Sequence, residues 1–130
     1  MNGPYIDLHT HSCLSDGSLS PEALLTAARD AGIGILALTD HNATADLVPL
    51  QAAFPALTLI QGAEITCRYL DQELHVVALG IDPENPKLRA VLRNNQPDRR
   101  PYLSATLENL RALGIDAGTY DELQAANRSS

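Results

Sequence analysis

Short apolar runs are spaced along the N-terminal part of the chain, and polar side chains follow each of them. The runs cover Tyr5–His9, Gly34–Thr39, Leu57–Ile60 and Leu74–Leu79. Runs of this length and composition are typical of β-strands. Gly34–Thr39 is apolar almost throughout, which indicates a strand that is buried on both faces, as in a parallel sheet.

Helical patterns separate the first three runs. Ser20 is a good N-cap, Pro21 fits the first helical position, and Gly32 marks the end of the helix. A second helix is predicted over about Ala45–Ala53, where Pro49 limits its quality. Strands that alternate with helices predict an α/β fold that has a parallel sheet and crossover helices.

The pattern becomes helical beyond the fourth run. Asn85 and Pro86 open one predicted helix, and another ends at Gly114. We expect one domain over residues 1–130, with the sheet and its polar rim over about 1–82. Further helices are expected over about 83–115, followed by a tail of weak periodicity over 116–130.

The composition is that of an acidic globular protein. The chain has 130 residues, a formal net charge of −7, and 45% hydrophobic residues. An acidic chain without a basic run is a poor non-specific binder of DNA or anionic membranes. No apolar stretch reaches the roughly 20 residues that span a bilayer, and no signal-peptide pattern is present. Cys13 and Cys67 do not form a CxxC pair, so we expect reduced thiols in a cytoplasmic protein.

Residues with metal-binding chemistry follow the predicted strands. Side chains alternate along extended backbone, so the spacing His9-x-His11 directs both imidazoles to one side. A single histidine is more often a hydrogen-bonded structural residue. We expect all four histidines to reach the same rim of the sheet, which predicts a centre for zinc, iron or manganese. The candidate ligands are His9, His11, Asp16, His41, Glu64 and His75.

Three aspartates near these ligands have two interpretations each. Asp7 and Asp40 precede candidate histidines and could accept hydrogen bonds from them, as metal-bound imidazoles require. Alternatively, both cap strand ends or form turns. Asp16 stands in Ser15-Asp16-Gly17, where an aspartate alone would be interpreted as a turn residue.

The same residues stand in motifs that resemble those of the PHP family, the polymerase and histidinol phosphatase domain. The resemblance runs from Tyr5 to about Leu113, and its branch is that of nucleoside 3′,5′-bisphosphate phosphatases and 5′-to-3′ exoribonucleases. The motifs are, in order, Asp7-Leu8-His9-Thr10-His11-Ser12, Ser15-Asp16-Gly17, Leu38-Thr39-Asp40-His41-Asn42, Gly62-Ala63-Glu64-Ile65 and His75-Val76-Val77-Ala78-Leu79-Gly80.

The resemblance implies a distorted (β/α)7 barrel with up to three divalent metal ions, Mn, Zn or Fe, at the carboxyl face of its strands. It implies that His9 and His11 hold a first metal. Glu64 would bridge the first metal and a second one, which His75 also binds.

The resemblance further implies that Asp16 and His41 bind a third metal. The implied reaction is hydrolysis of phosphomonoesters, either of nucleotides or of RNA ends, by a metal-bridging hydroxide. The expected catalytic residues are Glu64, His9 and His11. The expected partner is therefore a small phosphorylated substrate, a nucleotide or a short RNA.

The family pattern continues with further histidines and an Asp-x-His pair, which have no counterpart after His75. We therefore expect the first half of a PHP protein, with activity that is strongly reduced or absent and with weaker metal sites. A half barrel leaves strand edges unpaired, so we also expect self-association through them.

Two other functions stay open at this point. Amidohydrolases also place H-x-H after the first strand of a barrel, but they often bridge two metals with a modified lysine. The only lysine here, Lys87, lies in a predicted helix, whereas Glu64 suits the bridging role. The other alternative is a non-catalytic metal-binding or interaction module.

Overall fold

The chain divides into two compact units, Met1–Gln96 and Pro97–Ser130. The computed structural model describes residues 4–96, 100–119 and 121–122 of the chain. Within that part, the first unit holds every strand and the first three helices. Most of the predicted tail, from residue 123 onward, lies outside the described residues.

The first unit opens with a strand, a helix and a second strand. These are β1 (Tyr5–Thr10), α1 (Pro21–Asp30) and β2 (Ile33–Leu38). The Ser20 side chain caps α1, since its Oγ accepts from a backbone N–H of the first turn at 3.2 Å. Gly32 follows the helix with φ +79°, a left-handed conformation that glycine adopts without strain. Both predicted ends of this helix are therefore confirmed.

A second helix and a long strand follow. The helix α2 (Leu47–Ala53) begins after Asp46, whose side chain accepts from Val48 N at 3.1 Å. Pro49 lies in the first turn, where a missing N–H breaks no helical hydrogen bond. The strand β3 (Thr58–Tyr69) continues far beyond the predicted end at Ile60.

The strand order in the sheet is β1-β2-β3, with β4 (Gln72–Leu79) beside β3. The first three strands are parallel and are joined through α1 and α2, which confirms the α/β class and the crossover helices. The expectation of an all-parallel sheet is wrong for the fourth strand. β4 pairs antiparallel with β3, and the two-residue turn Leu70–Asp71 between them is closed by the pair Tyr69 and Gln72.

One face of the sheet carries the hydrophobic core. Leu36 and Leu38 of β2 are only 1% exposed and pack with residues of α1 and α2. Burying one such leucine contributes about 1.5–3 kcal/mol to folding. The core cluster is Leu25, Ala28, Leu36, Leu38, Ala45, Leu50 and Leu57. By contrast, large apolar side chains on the two edge strands stay exposed, namely Tyr5, Ile6, Leu8, Leu74, Val76, Val77 and Leu79.

Two further helices complete the described part. In the first unit, α3 (Pro86–Asn95) is capped by Asn85, whose Oδ1 accepts from Lys87 N at 3.0 Å, and it packs against β3. The second unit contains α4 (Arg100–Ala112), which ends just before Gly114 at φ +79°. Among the described helices, none has the length and apolarity of a membrane-spanning segment.

Candidate metal centre

Each element of the sheet delivers one part of a histidine and carboxylate cluster. β1 carries His9, and the loop after it carries His11 and Asp16. His41 follows β2 and bridges to Glu64 of β3 as an isolated parallel pair. Because the carboxyl ends of parallel strands meet at one edge of a sheet, these side chains converge.

His75 reaches the same cluster by a different route. It was expected at the carboxyl end of a strand, and this is wrong, because it lies near the beginning of β4. β3 extends past the rim and β4 returns antiparallel, which pairs His75 with Thr66. All six predicted ligands are therefore brought together, in three overlapping groups of side chains.

The first of these groups, called the His9 group, contains His9, His11 and Glu64. The Oε2 atom of Glu64 lies 3.0 Å from His9 Nε2 and 2.8 Å from His11 Nε2. The two imidazole nitrogens are 3.1 Å apart. Glu64 is 7% exposed, so its carboxylate reaches the histidines from inside the sheet.

The second, the Asp16 group, contains His11, Asp16 and His41. The Oδ1 atom of Asp16 lies 2.7 Å from His11 Nδ1, and its Oδ2 atom lies 3.4 Å from His41 Nε2. A carboxylate on the far nitrogen of an imidazole orients the ring, as metal-binding histidines need. Asp16 thus faces two histidines with different oxygens.

The third, the His75 group, contains His41, Glu64 and His75. His75 Nδ1 lies 3.5 Å from Glu64 Oε1 and 3.3 Å from His41 Nδ1. The other ring nitrogen of His75 lies 3.1 Å from Glu73 Oε1, so a second carboxylate orients this imidazole. Glu64 belongs to two groups: its Oε1 lies near His75, whereas its Oε2 lies near His9 and His11 and 3.6 Å from His41 Nε2.

The donor atoms fit a divalent cation in type and spacing. Imidazole nitrogen and carboxylate oxygen are the ligands of zinc, manganese and iron in proteins. Two donors that share a tetrahedral zinc ion at about 2.0–2.1 Å are about 3.4 Å apart. Within each group, the candidate donor atoms lie within 4.8 Å of one another. Three-ligand groups of this kind leave a coordination position open for water or substrate.

The histidines also control the charge of both carboxylates. Burial by itself raises the pKa of Glu64, but the hydrogen bond to His9 and the charges of His41, His9 and His11 outweigh it, so the pKa is lowered. The hydrogen bond from His11 lowers the pKa of Asp16 as well, and desolvation offsets only part of this effect. Both carboxylates are therefore ionised at neutral pH, which is the form that binds cations.

The two predicted supporting aspartates differ in what they contact. Asp40, 1% exposed, accepts from Ser12 N at 2.7 Å, from Ser12 Oγ at 2.8 Å and from Ser15 Oγ at 2.6 Å. These partners favour the alternative in which Asp40 forms a turn, because they fix the loop that carries His11. Asp7 accepts a hydrogen bond from the backbone N–H of His9 at 3.2 Å, so it too contacts backbone at the strand end and not the imidazole ring.

Gly17 explains why the loop can bring Asp16 to His11. A Cβ atom at this position would collide with the backbone oxygen of His11 and would lie 2.8 Å from the carbonyl carbon of Ser12. Backbone atoms cannot move aside as a flexible side chain can. A glycine is therefore required where the loop folds back on the strand end.

Sequence reasoning did not assign roles to Ser12, Ser15 and Asn42. The serines supply the donors for Asp40, and buried Asn42 forms hydrogen bonds with Thr66 of β3 and Asn95 of α3. A signal for Asn42 was present, because asparagine tolerates the left-handed backbone conformation that a sharp change of direction needs. The partners of these side chains lie far away in sequence, and no local pattern predicts them.

Known proteins resemble this chain in sequence. Residues 7–125 match the family described as the PHP domain. The chain is 41% identical over 113 residues to the 5′-3′ exoribonuclease Rnm of Escherichia coli, covering 84% of this chain and 39% of that protein. It is 36% identical over 118 residues to the 3′,5′-nucleoside bisphosphate phosphatase of Chromobacterium violaceum, covering 89% of this chain and 41% of that protein. The chain thus spans about two fifths of the length of these relatives.

Solved structures share the fold. A Chromobacterium violaceum protein described as an amidohydrolase, with bound sulfate and no metal, superposes with a TM-score of 0.73 at 35% identity. The match covers 86% of this chain and 40% of that one. A Bifidobacterium adolescentis protein described as a metal-dependent phosphoesterase gives a TM-score of 0.69 at 30% identity, covering 94% and 44%. The α/β fold class is confirmed by these structures, and, as the match over residues 7–125 establishes, the chain belongs to the PHP domain family.

Proposed function

We propose that this chain is part of a metal-dependent phosphoesterase that hydrolyses phosphomonoesters of nucleotides or RNA ends. The observation that carries the proposal is the convergence of histidines and carboxylates into three overlapping groups with metal-ligand spacing. The relatives named as a bisphosphate phosphatase and an exoribonuclease support the reaction class and the type of substrate.

We assign up to three divalent metal ions, Mn, Zn or Fe, to the three groups. His9, His11 and Glu64 would hold the first ion, Glu64 and His75 the second, and Asp16 and His41 the third. Bound cations of this kind lower the pKa of water to about 7 and neutralise charge on phosphoryl oxygens. The chain is acidic and attracts cations. Bound cations reverse the local charge, and only through them does the chain bind an anionic substrate.

The protein residues have separate tasks in this proposal. His9, His11 and Glu64 would be the catalytic residues, because they would hold the first ion. Glu64 stays ionised at neutral pH because its pKa is lowered by the surrounding histidines, and it therefore remains a cation ligand. Asp16 holds the ring of His11 through the 2.7 Å contact to Nδ1.

The substrate is a small phosphorylated molecule, either a nucleotide bisphosphate or the end of a short RNA. Both classes carry phosphate esters of ribose, and a phosphate ester of ribose is the bond that a nucleoside bisphosphate phosphatase and an exoribonuclease hydrolyse. The protein acts in the cytoplasm, a compartment that keeps thiols reduced. Its unpaired cysteines, Cys13 and Cys67, are consistent with that compartment.

A non-catalytic metal-binding module is the second candidate function. It is favoured by one observation, that the chain spans only 39% and 41% of the two relatives. Each group offers three protein ligands, and sites with few ligands bind metal more weakly. We therefore expect turnover by this chain to be strongly reduced or absent, even where a cation binds.

Phosphate release with added Mn²⁺ separates the two functions. A nucleoside 3′,5′-bisphosphate and a short 5′-phosphorylated RNA are the probes, and Mn²⁺ binding is measured by calorimetry on the same protein. His9→Ala should abolish release, whereas Gln51→Ala, outside the cluster, should not. Metal binding without release from either probe supports the non-catalytic module, and no metal binding at all contradicts both functions.

The amidohydrolase alternative is tested in the same experiment. It has support in the description of one structural relative. Glu64 nevertheless belongs to two groups, which leaves no need for a bridging lysine, and Lys87 lies in the first turn of α3. Hydrolysis of N-acyl amides in the absence of phosphate release would support this alternative and overturn the phosphoesterase proposal.

A further inference from the structure

Asn42 occupies an unusual position directly after His41. It is 2% exposed and has φ +51°, a left-handed conformation that few non-glycine residues adopt. Asparagine is among the residues that tolerate it, because its short side chain can form local hydrogen bonds. The chain therefore turns sharply at this point, and His41 stands at the beginning of the turn.

The side chain of Asn42 is bonded on both its donor and acceptor atoms. Its Nδ2 donates to Thr66 Oγ1 at 2.8 Å and to the carbonyl of Asn95 at 3.1 Å. Its Oδ1 accepts from Thr66 N at 3.0 Å. Asn95 in turn donates from Nδ2 to the carbonyl of Thr66 at 2.8 Å. The Asn42 side chain thus forms hydrogen bonds with both the backbone N–H and the hydroxyl of Thr66 in β3.

The backbone of Asn42 adds two more connections. Its N–H donates to the carbonyl of Glu64 at 2.9 Å, and its carbonyl accepts from Gln96 Nε2 at 3.2 Å. Every member of the His75 group is therefore linked to Asn42. His41 is its chain neighbour, Glu64 is its backbone partner, and His75 pairs across the hairpin with the Thr66 that Asn42 holds.

We infer that Asn42 is a positioning residue that sets the spacing between His41, Glu64 and His75. The inference rests on the proposed metal binding. It goes further because Asn42, which is not a candidate ligand, would set the distances between the ligands of the His75 group. Buried networks in which every polar atom is satisfied hold one arrangement and resist others. Outer partners of metal ligands typically change metal affinity by about 10–100-fold when removed.

The test compares Asn42→Gly with a matched control, Gln51→Ala. Glycine adopts the backbone conformation without strain, so this variant removes only the side-chain bonds. Gln51 also makes three bonds from its side chain to backbone, to Phe54, Leu57 and Leu59, but it lies in α2 outside the metal groups. Both variants lose a comparable set of hydrogen bonds, and only one of the two sets supports candidate ligands.

Two measurements are made on each protein. Imidazole ¹⁵N and ¹H resonances of the metal-free protein report ring position, and Co²⁺ titration by absorption reports affinity. We expect Asn42→Gly to shift the His41 and His75 rings more than the His9 ring, and to weaken one class of Co²⁺ site by about 10–100-fold. Gln51→Ala should leave both readouts as in the parent protein.

Unchanged ring resonances and unchanged Co²⁺ affinity in Asn42→Gly would overturn the inference, whatever the variant does to stability. A parent protein that binds no Co²⁺ would contradict the proposed function, while the ring resonances would still decide the role of Asn42. If the glycine variant does not fold, Thr66→Val removes the hydroxyl that accepts from Asn42. In that variant the His41 ring is the readout, because Thr66 pairs with His75 and not with His41.

Discussion

His11 Nε2 lies 2.8 Å from Glu64 Oε2, which joins the loop after β1 to the middle of β3. The other nitrogen of the same ring faces Asp16 at 2.7 Å. His11 therefore belongs to two of the three groups, as does Glu64. An ionised carboxylate oxygen can only accept a hydrogen bond. Each contact therefore needs either a proton on the histidine nitrogen or a cation bound between the two atoms.

Removal of the His11 ring should weaken cation binding in both the His9 group and the Asp16 group. We expect His11→Ala to weaken Mn²⁺ binding by more than the roughly 10–100-fold that loss of an outer partner causes. Glu73→Gln, which removes the carboxylate that orients His75 from outside the three groups, should fall within that range. Calorimetric titration of both variants measures the difference, and equal affinities in the two variants would contradict the shared role of His11.

Gly17→Ala should displace the loop that presents Asp16. The added methyl group would meet the backbone of His11 and Ser12, so the loop must shift, at a cost of about 1–3 kcal/mol in folding free energy. We expect Mn²⁺ affinity to fall together with stability, as measured by titration and by urea unfolding.

Gly80→Ala is the matched control for that variant. Gly80 has a positive φ, of +65°, and no atom lies within 4 Å of an added Cβ, so only backbone strain is introduced. Its metal affinity should stay that of the parent. Parallel losses of affinity in the two variants would show that the effect is not specific to the loop.

Asp40→Ala should destabilise the fold strongly, because Ser12 is fully buried and would keep an N–H and a hydroxyl without their acceptors. Each such buried group costs about 1–3 kcal/mol, so the expected loss for the two groups is about 2–6 kcal/mol. Asp46→Ala removes the cap of α2 and should cost only about 1 kcal/mol. Urea unfolding of the two variants checks the order, and a smaller loss for Asp40→Ala would contradict it.

The lowered pKa values of Glu64 and Asp16 make metal-free stability depend on pH. The ordinary values are 4.5 and 3.8, and both are lower in the folded protein. Below the ordinary values the unfolded chain binds more protons, so this stabilisation is full above them and is lost as the pH falls through the lowered values. Urea unfolding between neutral and acidic pH should show this decline, and Glu64→Gln should reduce its slope. An unchanged slope would contradict the role of the histidines in ionising Glu64.

The exposed edge strands should make the chain associate with itself. Ile6 of β1 is 60% exposed and Val76 of β4 is 49% exposed. A lysine on an edge strand opposes pairing with another chain. Sedimentation velocity should show larger species for the parent and more monomer for Ile6→Lys and Val76→Lys. Val48→Lys changes an exposed side chain of α2 and should have no such effect; if all three variants match the parent, the edges are not responsible.

The parts of the fold that follow local rules could be predicted from sequence. Ser20, Pro21 and Gly32 mark the ends of α1 because caps depend on neighbouring residues alone. The hairpin could not be predicted in this way, because its turn residues, Leu70 and Asp71, lack the usual asparagine and glycine.

The extension of β3 beyond Ile60 was also not predicted. Gly62 lies within this strand, where an added Cβ would lie 2.8 Å from Thr39 Cγ2. In the site, the rule that strand ends converge predicted that His9, His11 and His41 meet, but His75 reaches them from near the beginning of an antiparallel strand. The rule could not predict the separate partners of the two oxygens of Asp16, since those depend on how the loop folds around Gly17.

The length of the turn between β3 and β4 decides whether His75 can be a metal ligand. Leu70 and Asp71 both have positive φ, and their length of two residues fixes which side of the ribbon His75 occupies. A shift of one residue turns every side chain of a strand to its opposite side. An insertion of a single codon that shifted this register would therefore turn the His75 side chain away from the other ligands while every histidine remained in the gene.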